Sequence, residues 1–364
     1  MGPRSRKHAV SHFNVMVVGF SGVGKTSFIR TLIEALMLDE QERQKEQEQE
    51  ATKKRRDSVM SETSFVNMEP EGPIEKTLKP YTVSREIEVD RERVLLTLID
   101  TPGFQAEYLV DKQLHDIMKY IEHQFDLTLA EESKVKRNPK AVDTQVHCCL
   151  YFMDPKKSSL DEYDIRILKR LSNRVNVIPV IGKADQLTLA QKNRLKPRII
   201  QDIYNKIPIY GIPTQEDEED EDEDDDEDED SIKKPENLTE FIAQFNYDEE
   251  DQETQIILDY LKVIPFTFIS YEDEPDTGKP IEIPDVPLGR DFGWGTIDCL
   301  SQIYSDFTQL KQVLLSSHRR FLQLDTVERY YEQYRTEKLT FKRATKLKSM
   351  DLSSQKILKD LKDL

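Results

Sequence analysis

The chain has 364 residues, 34% of them charged, and a formal net charge of −18 at pH 7. This length suffices for one large domain or two ordinary ones. Fifteen consecutive acidic residues, Glu216–Asp230, carry most of the charge, because the other 55 acidic residues nearly balance 52 Lys and Arg, for a net of −3. The body of the protein is therefore close to neutral, which argues against a general nucleic-acid binder, and we expect the acidic run to stay solvated.

The cysteines and the apolar runs predict a cytosolic protein. Cys148, Cys149 and Cys299 are too few for a disulfide framework, and two of them are adjacent inside an apolar run, which suits a reducing compartment. No stretch approaches 18 apolar residues, and the N-terminus lacks the apolar core of a signal peptide.

The first third of the chain predicts three strands and a helix. The apolar run Phe13–Phe20 predicts a strand, and a Gly-rich loop then leads into a helix over Thr26–Leu38. The polar stretch Asp39–Pro73 reads as an insertion, either disordered or a loose helix. Two strand-like runs, Thr82–Val89 and Arg93–Ile99, are joined by a polar turn and predict a hairpin.

Helices and strands alternate in the middle of the chain. The nearly continuous apolar run Val146–Asp154 predicts a strand buried on both faces, followed by a helix with a capping box from Ser159 and Glu162. Val175–Asp185 is the next strand. A further helix, before these strands, is predicted by apolar residues at helical spacing: Leu114, Ile117, Met118, Ile121 and Phe125.

The remaining elements complete an α/β pattern. A helix is expected from about Thr188, where Pro197 predicts a kink or a late start. Two short strands, Ile207–Pro213 and Val263–Ser270, flank a second insertion at about 215–250. From about residue 298 the pattern is helical. Strands alternating with helices predict a doubly wound, mainly parallel sheet, which binds ligands at the carboxyl ends of its strands.

The segment VVGFSGVGKTSF matches the phosphate-loop pattern G-x4-G-K-[ST] between a predicted strand and a predicted helix. In this motif, backbone N–H groups and the helix N-terminus surround the phosphates, the lysine neutralises the outer phosphates, and the threonine hydroxyl binds Mg²⁺. The predicted phosphate-binding residues are Gly19, Ser21, Gly22, Val23, Gly24, Lys25, Thr26 and Ser27.

The segment LTLIDTPGF places a second polar group at a strand end. Asp100 is positioned to hold the water shell of a Mg²⁺ ion, and the N–H of Gly103 to contact a terminal phosphate. Thr77 lies 23 residues before Asp100, so its hydroxyl is a candidate catalytic group closing over the terminal phosphate and the metal. By spacing alone, a surface threonine is the simpler interpretation.

The segment IGKADQL predicts which base is bound. Asp185 can accept hydrogen bonds from N1–H and the 2-amino group of guanine, neither of which adenine offers, while the Lys183 stem can lie over the purine ring. A lone K-x-D is common in solvated loops. Because this motif follows the phosphate loop and the DTPG segment in that order, it favours a guanine-binding protein over an adenine-dependent kinase or ATPase.

Four further segments resemble one family of GTP-binding proteins. LGRDFGWGTID (Leu288–Asp298) has no counterpart in small Ras-like switches and resembles the element that distinguishes septins. Glu131–Pro155, Arg174–Thr188 and Tyr330–Leu339 are also similar to septin sequence. The resemblance implies a Ras-like P-loop GTPase domain over residues 13–339, interrupted by the two insertions, with a septin-specific element and helices at its C-terminal end.

Septins bind GTP or GDP with Mg²⁺ and assemble through two alternating faces into rods and filaments, one face being built around the nucleotide. The resemblance implies that Arg290 packs by the base, that a backbone N–H at Ser270 contacts it, and that Trp294 belongs to the nucleotide-side interface. Thr77 falls where hydrolysing septins carry a switch threonine, so slow hydrolysis is compatible with the sequence. Expected partners are other septin subunits or a second copy, at the cytoskeleton, cell cortex, septum or bud neck.

Three departures from the septin pattern predict a divergent subunit. Ser270 replaces a usual glycine, Ser158 stands where many septins carry a histidine that reaches the partner's nucleotide, and DTPGFQAEY lacks the usual Gly-Asp. The alternative function is a regulatory GTPase that cycles between GTP and GDP states. That switch would need a hydrolytic glutamine after DTPG, and Gln105 is offset by one residue from the Ras-like place.

The termini are the least informative parts. The short basic segment 1–12, with Arg4, Arg6 and Lys7, lies where septins carry a stretch for anionic lipids, and KKRRDS resembles a basophilic kinase site at Ser58. A solvated linker is the competing interpretation of both. The tail over 340–364, helical or disordered, has barely one apolar stripe, too little to predict a coiled coil.

Overall fold

The structure is a computed structural model. The basic N-terminal segment up to residue 9, the predicted kinase site, the acidic run and the end of the tail lie outside the residues it describes. The described residues are 10–51, 77–90, 92–105, 107–136, 142–204, 206–212 and 235–346.

A six-stranded sheet forms the centre of the fold, with strand order β2-β3-β1-β4-β5-β6. Only β2 runs antiparallel, and it pairs with β3 as the predicted hairpin. Every residue of β4 and β5 is buried, so both faces of the sheet are covered there, as the unbroken apolar runs predict. The strands are β1 Ser11–Gly19, β2 Tyr81–Val89, β3 Glu92–Asp100, β4 Cys148–Met153, β5 Asn176–Ile181 and β6 Phe266–Thr267.

Helices connect the parallel strands, and each predicted helix is present. Apolar residues at helical spacing, such as Phe28, Leu32 and Leu36 of α1, are buried in the core. The first helices are α1 Lys25–Ala51, α2 Val110–Glu132, α3 Glu162–Ser172, α4 Leu189–Ile203, α5 Leu238–Ala243 and α6 Gln252–Val263.

Two local predictions were wrong, and a third was left with one of its two alternatives. Helix α3 is capped by Asp161, whose side chain accepts from the Asp164 N–H and forms the capping box with it, in place of Ser159 and Glu162. Asp161 directly precedes the first helical turn, so its side chain can reach the backbone N–H of Asp164. Helix α4 begins after Thr188, as predicted, with its own capping box. Of the two outcomes predicted for Pro197, a kink or a late start, the late start does not occur, because Pro197 lies inside the helix.

The second wrong prediction is the strand Ile207–Pro213. Its described part forms turns, with only the Tyr210 N–H bonded to β5, at the Val177 carbonyl. Ile207, Ile209 and Ile212 are nevertheless buried, which explains the strand-like sequence pattern. The alternating apolar residues here reflect burial of side chains and not backbone pairing with a neighbouring strand. The polar stretch from Asp39 is helical through Ala51 as the end of α1.

The C-terminal part packs back onto the sheet. A small antiparallel pair, β7 (Gly289–Asp291) and β8 (Thr296–Asp298), precedes a helical region that runs to residue 346. Within the described residues, no helix is long and apolar enough to cross a membrane. The helical region consists of α7 Phe307–Gln312, a π-helical turn Val313–Ser317, α8 Arg319–Asp325, a second π-helical turn Thr326–Tyr331 and α9 332–346.

Asp306 ties α7 to the sheet. Its carboxylate accepts from Lys196 Nζ at 2.7 Å and from both the N–H (2.8 Å) and the hydroxyl (2.6 Å) of Thr267 in β6. The aspartate is 7% exposed, so these bonds replace its hydration. The nearby lysine and threonine hold the pKa of Asp306 below its usual range against the opposing effect of burial.

Candidate nucleotide-binding site

The phosphate loop lies where β1 ends and α1 begins, as the motif predicts. Gly22 and Gly24 have φ of +83° and +102°, a backbone region that other residues rarely adopt. A side chain on either glycine would meet no atom within 4 Å, so the loop borders open space there. The other predicted residues of the loop divide by exposure: Ser21 is exposed, Ser27 is half-buried, and Val23 is buried.

Lys25 is buried at the base of this loop. Its Nζ donates to the carbonyls of Gly19 (3.0 Å) and Phe20 (2.8 Å). Burial lowers the pKa of Lys25 from 10.5 to about 8, and the nearby Asp100 carboxylate opposes that shift. A buried ammonium beside a carboxylate and loop N–H groups forms a local centre for binding anions.

The structure brings Thr26, Thr77 and Asp100 together. Thr26 Oγ1 donates to Asp100 Oδ2 at 2.6 Å, and Thr77 Oγ1 donates to the same oxygen at 2.8 Å. The two hydroxyls lie 3.4 Å apart. These contacts span up to 74 residues of sequence, and they place Thr77 beside the predicted metal-binding pair.

The oxygens of this cluster fit a small hard cation. Asp100 is fully buried, and its Oδ1 accepts no well-formed hydrogen bond from the described residues. The Tyr81 hydroxyl is close by, since the carboxylate adds to the effect of burial in raising the pKa of that phenol. Mg²⁺ is commonly held by one or two carboxylates, hydroxyls and substrate phosphates.

The predicted base-reading loop follows β5 and touches the phosphate loop. A methyl group on Gly182 would lie 2.0 Å from the Val23 carbonyl oxygen, so only glycine allows this approach. Lys183 is exposed in the left-handed region at φ 49°. The Ala184 N–H donates to the Phe268 carbonyl at 2.9 Å, which fixes the loop on the strand beside it.

Asp185 has the environment of a ligand-binding carboxylate. Its Oδ1 is buried and has no hydrogen-bond partner among the described residues. A buried carboxylate oxygen without a partner is costly, and it is expected where a ligand supplies the donor.

Ser270 and Arg290, the two residues expected beside the base, lie together. Arg290 Nη1 is 3.4 Å from Ser270 Oγ. Sequence patterns gave no sign of a further neighbour, Cys299. Burial raises the pKa of its thiol to about 12, with smaller effects from nearby charges: Asp298 and Asp185 raise the pKa, and Arg290 lowers it.

Trp294 lies at the tip of the β7–β8 hairpin. It is 82% exposed and stacks on Phe292 with ring centroids 5.5 Å apart. The Phe292 ring is also 5.9 Å from the Arg290 guanidinium. An aromatic pair, with Trp294 exposed and Phe292 half-buried, therefore adjoins the predicted base-reading arginine.

The turn after β3 lies directly on the phosphate loop. The Ser21 N–H donates to the Phe104 carbonyl at 2.9 Å, and the Phe104 N–H donates to the Gly19 carbonyl at 3.2 Å. Sequence reasoning missed a residue that contacts this turn, Gln113 of α2. Its side chain accepts from the Gln105 N–H, while the Gln105 side chain itself is exposed.

Comparison with known proteins identifies the family. A family model described as Septin matches residues 10–348. The chain belongs to the septin family. It is 33% identical over 341 residues to Cell division control protein 11 of Saccharomyces cerevisiae (strain ATCC 204508 / S288c), covering 93% of this chain and 69% of that protein. It is 36% identical over 348 residues to Septation protein 7 of Candida albicans (strain SC5314 / ATCC MYA-2876), covering 90% of this chain and 48% of that protein.

The septin fold is also that of a solved structure. The septin GTPase domain of Chlamydomonas reinhardtii matches with a TM-score of 0.54 at 20% identity, covering 90% of this chain and 99% of that one. The chain spans about half the length of Septation protein 7 of Candida albicans. The mixed α/β fold with a mainly parallel sheet is thus confirmed.

Proposed function

We propose that this septin binds GTP or GDP with Mg²⁺ at the carboxyl edge of its sheet and holds the nucleotide at a contact between subunits. The phosphates would lie on the loop from Gly19 to Ser27 with Gly103 opposite, and Thr26 and Asp100 would hold the metal. Bound Mg²⁺ would supply positive charge that offsets the phosphates. The unit that does this is the domain 13–339.

The observation that carries this proposal is a pair of carboxylates, Asp100 at the end of β3 and Asp185 after β5, each with a buried oxygen that accepts no well-formed hydrogen bond from the described residues. Asp100 faces hydroxyls, which suits a hydrated cation. Asp185 follows the other strand, and a carboxylate there can accept both N1–H and the 2-amino group of guanine. Lys183 and Arg290 would flank the base, with the Ser270 backbone contacting its edge.

The exposed hairpin supports a subunit contact on the same side. Trp294 would lose water-exposed apolar surface in an interface, where aromatic residues are enriched. Its stacking on Phe292 pre-orders the contact at little entropic cost. Assembly with other septin subunits, or with a second copy, is therefore the expected role of the nucleotide face.

Hydrolysis is expected to be slow or absent. The Thr77 hydroxyl lies on Asp100 and can meet the terminal phosphate and the metal from there. The regulatory-switch alternative is not favoured, because it assigns no use to the Trp294 hairpin. Names of relatives such as Cell division control protein 11 support a place at division sites or the cell cortex. Contact of the basic segment 1–12 with anionic lipid belongs to the same proposal.

The nucleotide content of the purified protein tests the proposal first. Protein would be denatured, and the released nucleotide quantified by ion-exchange chromatography. Bound GDP would indicate hydrolysis before trapping, and bound GTP a non-hydrolysing subunit. A protein that releases no guanine nucleotide, and takes up none on incubation, would refute nucleotide binding.

The subunit contact has its own reporter, because Trp294 is the only tryptophan of the chain. Assembly through the nucleotide face should shift its emission to shorter wavelength with rising protein concentration. Sedimentation velocity would follow the same samples, with Trp294→Ala as the test variant. Phe341→Ala is the matched control, since Phe341 is 71% exposed on the C-terminal helix. Equal assembly of both variants would contradict a nucleotide-side contact.

A further inference from the structure

The turn 103–105 occupies space beside the phosphate loop. A methyl group on Gly103 would lie 2.6 Å from Ser21 Cα and 2.8 Å from Lys25 Nζ. The backbones of the turn and of the loop are therefore in van der Waals contact. No room remains for a phosphate group between Gly103 and Ser21 in this arrangement.

Two donors of the loop are satisfied by protein oxygens in the same arrangement. The Ser21 N–H is bonded to the Phe104 carbonyl, and Lys25 Nζ is bonded to the carbonyls of Gly19 and Phe20. The rings of Phe20 and Phe104 pack edge to face with centroids 5.6 Å apart. A triphosphate, whose outer phosphate needs the space beside Lys25, can bind only after the turn withdraws. A diphosphate has no outer phosphate and leaves the turn in place.

One side chain holds this turn from outside. Gln113 Oε1 accepts from the Gln105 N–H at 3.2 Å, and Gln113 Nε2 donates to the Gly103 carbonyl at 3.5 Å. The two bonds reach the residues on either side of Phe104. The anchor is rigid, because Gln113 stands in the first turn of α2 next to the fully buried Leu114.

We propose that Gln113 is a positioning residue that clamps the turn 103–105 onto the phosphate loop and so favours GDP over GTP at this site. This inference rests on the proposed nucleotide binding. The clamp stabilises only the arrangement that is compatible with a diphosphate. A triphosphate must first break this arrangement, so its affinity falls by the free energy that the clamp contributes. The 3.2 Å bond and the long 3.5 Å contact together are equivalent to about one hydrogen bond of ordinary net strength. That strength corresponds to a change of about three- to tenfold in the affinity ratio.

The test compares nucleotide affinities of the full chain and its variants at fixed Mg²⁺, using fluorescent derivatives of GDP and of the non-hydrolysable analogue GppNHp. Gln113→Met keeps the side-chain length and removes both hydrogen bonds. We expect the ratio of the GppNHp Kd to the GDP Kd to fall about three- to tenfold. Gln113→Glu keeps the acceptor for the Gln105 N–H and should fall in between. Lys112→Met, at the exposed neighbouring position, should leave the ratio unchanged.

If Gln113 had a merely structural role, its substitution would weaken the binding of both nucleotides equally. The ratio of the two Kd values would then stay constant, and that result would overturn the inference. Amide hydrogen exchange without added nucleotide provides a second measurement. The clamp requires faster exchange at Gln105 in Gln113→Met than in the original chain, and equal exchange would overturn it. If the original chain binds neither nucleotide, the proposed function fails, while the exchange result still decides whether Gln113 clamps the turn.

Discussion

The sharpest test of base recognition is the substitution Asp185→Asn. In the proposed complex, the carboxylate accepts two hydrogen bonds from guanine, and Asp185 Oδ1 has no alternative partner among the described residues. The amide keeps one acceptor and presents an N–H group where the second acceptor stood. One charged bond is lost and one donor is opposed, which together weaken guanine binding by about 3–4 kcal/mol, or about 100- to 1000-fold.

The same change should create a new specificity. Xanthine carries a carbonyl oxygen in place of the 2-amino group of guanine, so the amide can donate to it while accepting from N1–H. Titrations of the Asn variant should therefore show tighter binding of XDP than of GDP, the reverse of the original chain. Asp276→Asn serves as the control, since Asp276 is exposed on a remote loop. Unchanged GDP affinity in Asp185→Asn would refute the assigned role of the carboxylate.

Three further predictions concern hydrolysis, stability and pH. Thr77→Ala should retain nucleotide binding but raise the GTP fraction of the released nucleotide, with Thr77→Ser restoring it; an unchanged fraction would remove Thr77 from the catalytic proposal. Asp306→Ala should cost about 2–4 kcal/mol of unfolding free energy in urea, because it leaves the half-buried Lys196 ammonium with the Val263 carbonyl but without its carboxylate, and the Thr267 N–H without its acceptor; a loss under about 1 kcal/mol would contradict that reasoning. Burial lowers the pKa of His318 from 6.5 to about 4. As the pH falls, the unfolded chain therefore takes up the proton before the folded chain does. The contribution of neutral His318 to the free energy of unfolding should be present above about pH 6.5 and fall by about 2 kcal/mol by pH 5. His318→Gln is the reference, and equal pH profiles of the two proteins would contradict the prediction.

The sequence by itself determined those features that depend on neighbouring residues. The phosphate loop, the buried strands β4 and β5, and the helix after Thr188 are contiguous patterns, and each appears where its pattern lies. Their order also sufficed for the mainly parallel sheet, because parallel strands require helical crossovers. Local patterns failed where side chains are buried but the backbone does not pair with a strand. The turns from Ile207 are an example, since they are apolar and form no strand.

Only the tertiary structure decided which distant groups meet. The Thr77 hydroxyl reaches Asp100, and spacing alone left it as a surface threonine. The contact of the turn 103–105 with the phosphate loop depends on β1 and β3 being neighbours in the sheet. Gln113 has no motif, because its role comes from facing that turn across the start of α2. Such contacts are set by strand order and by the packing of helices on the sheet, which no single segment of sequence encodes.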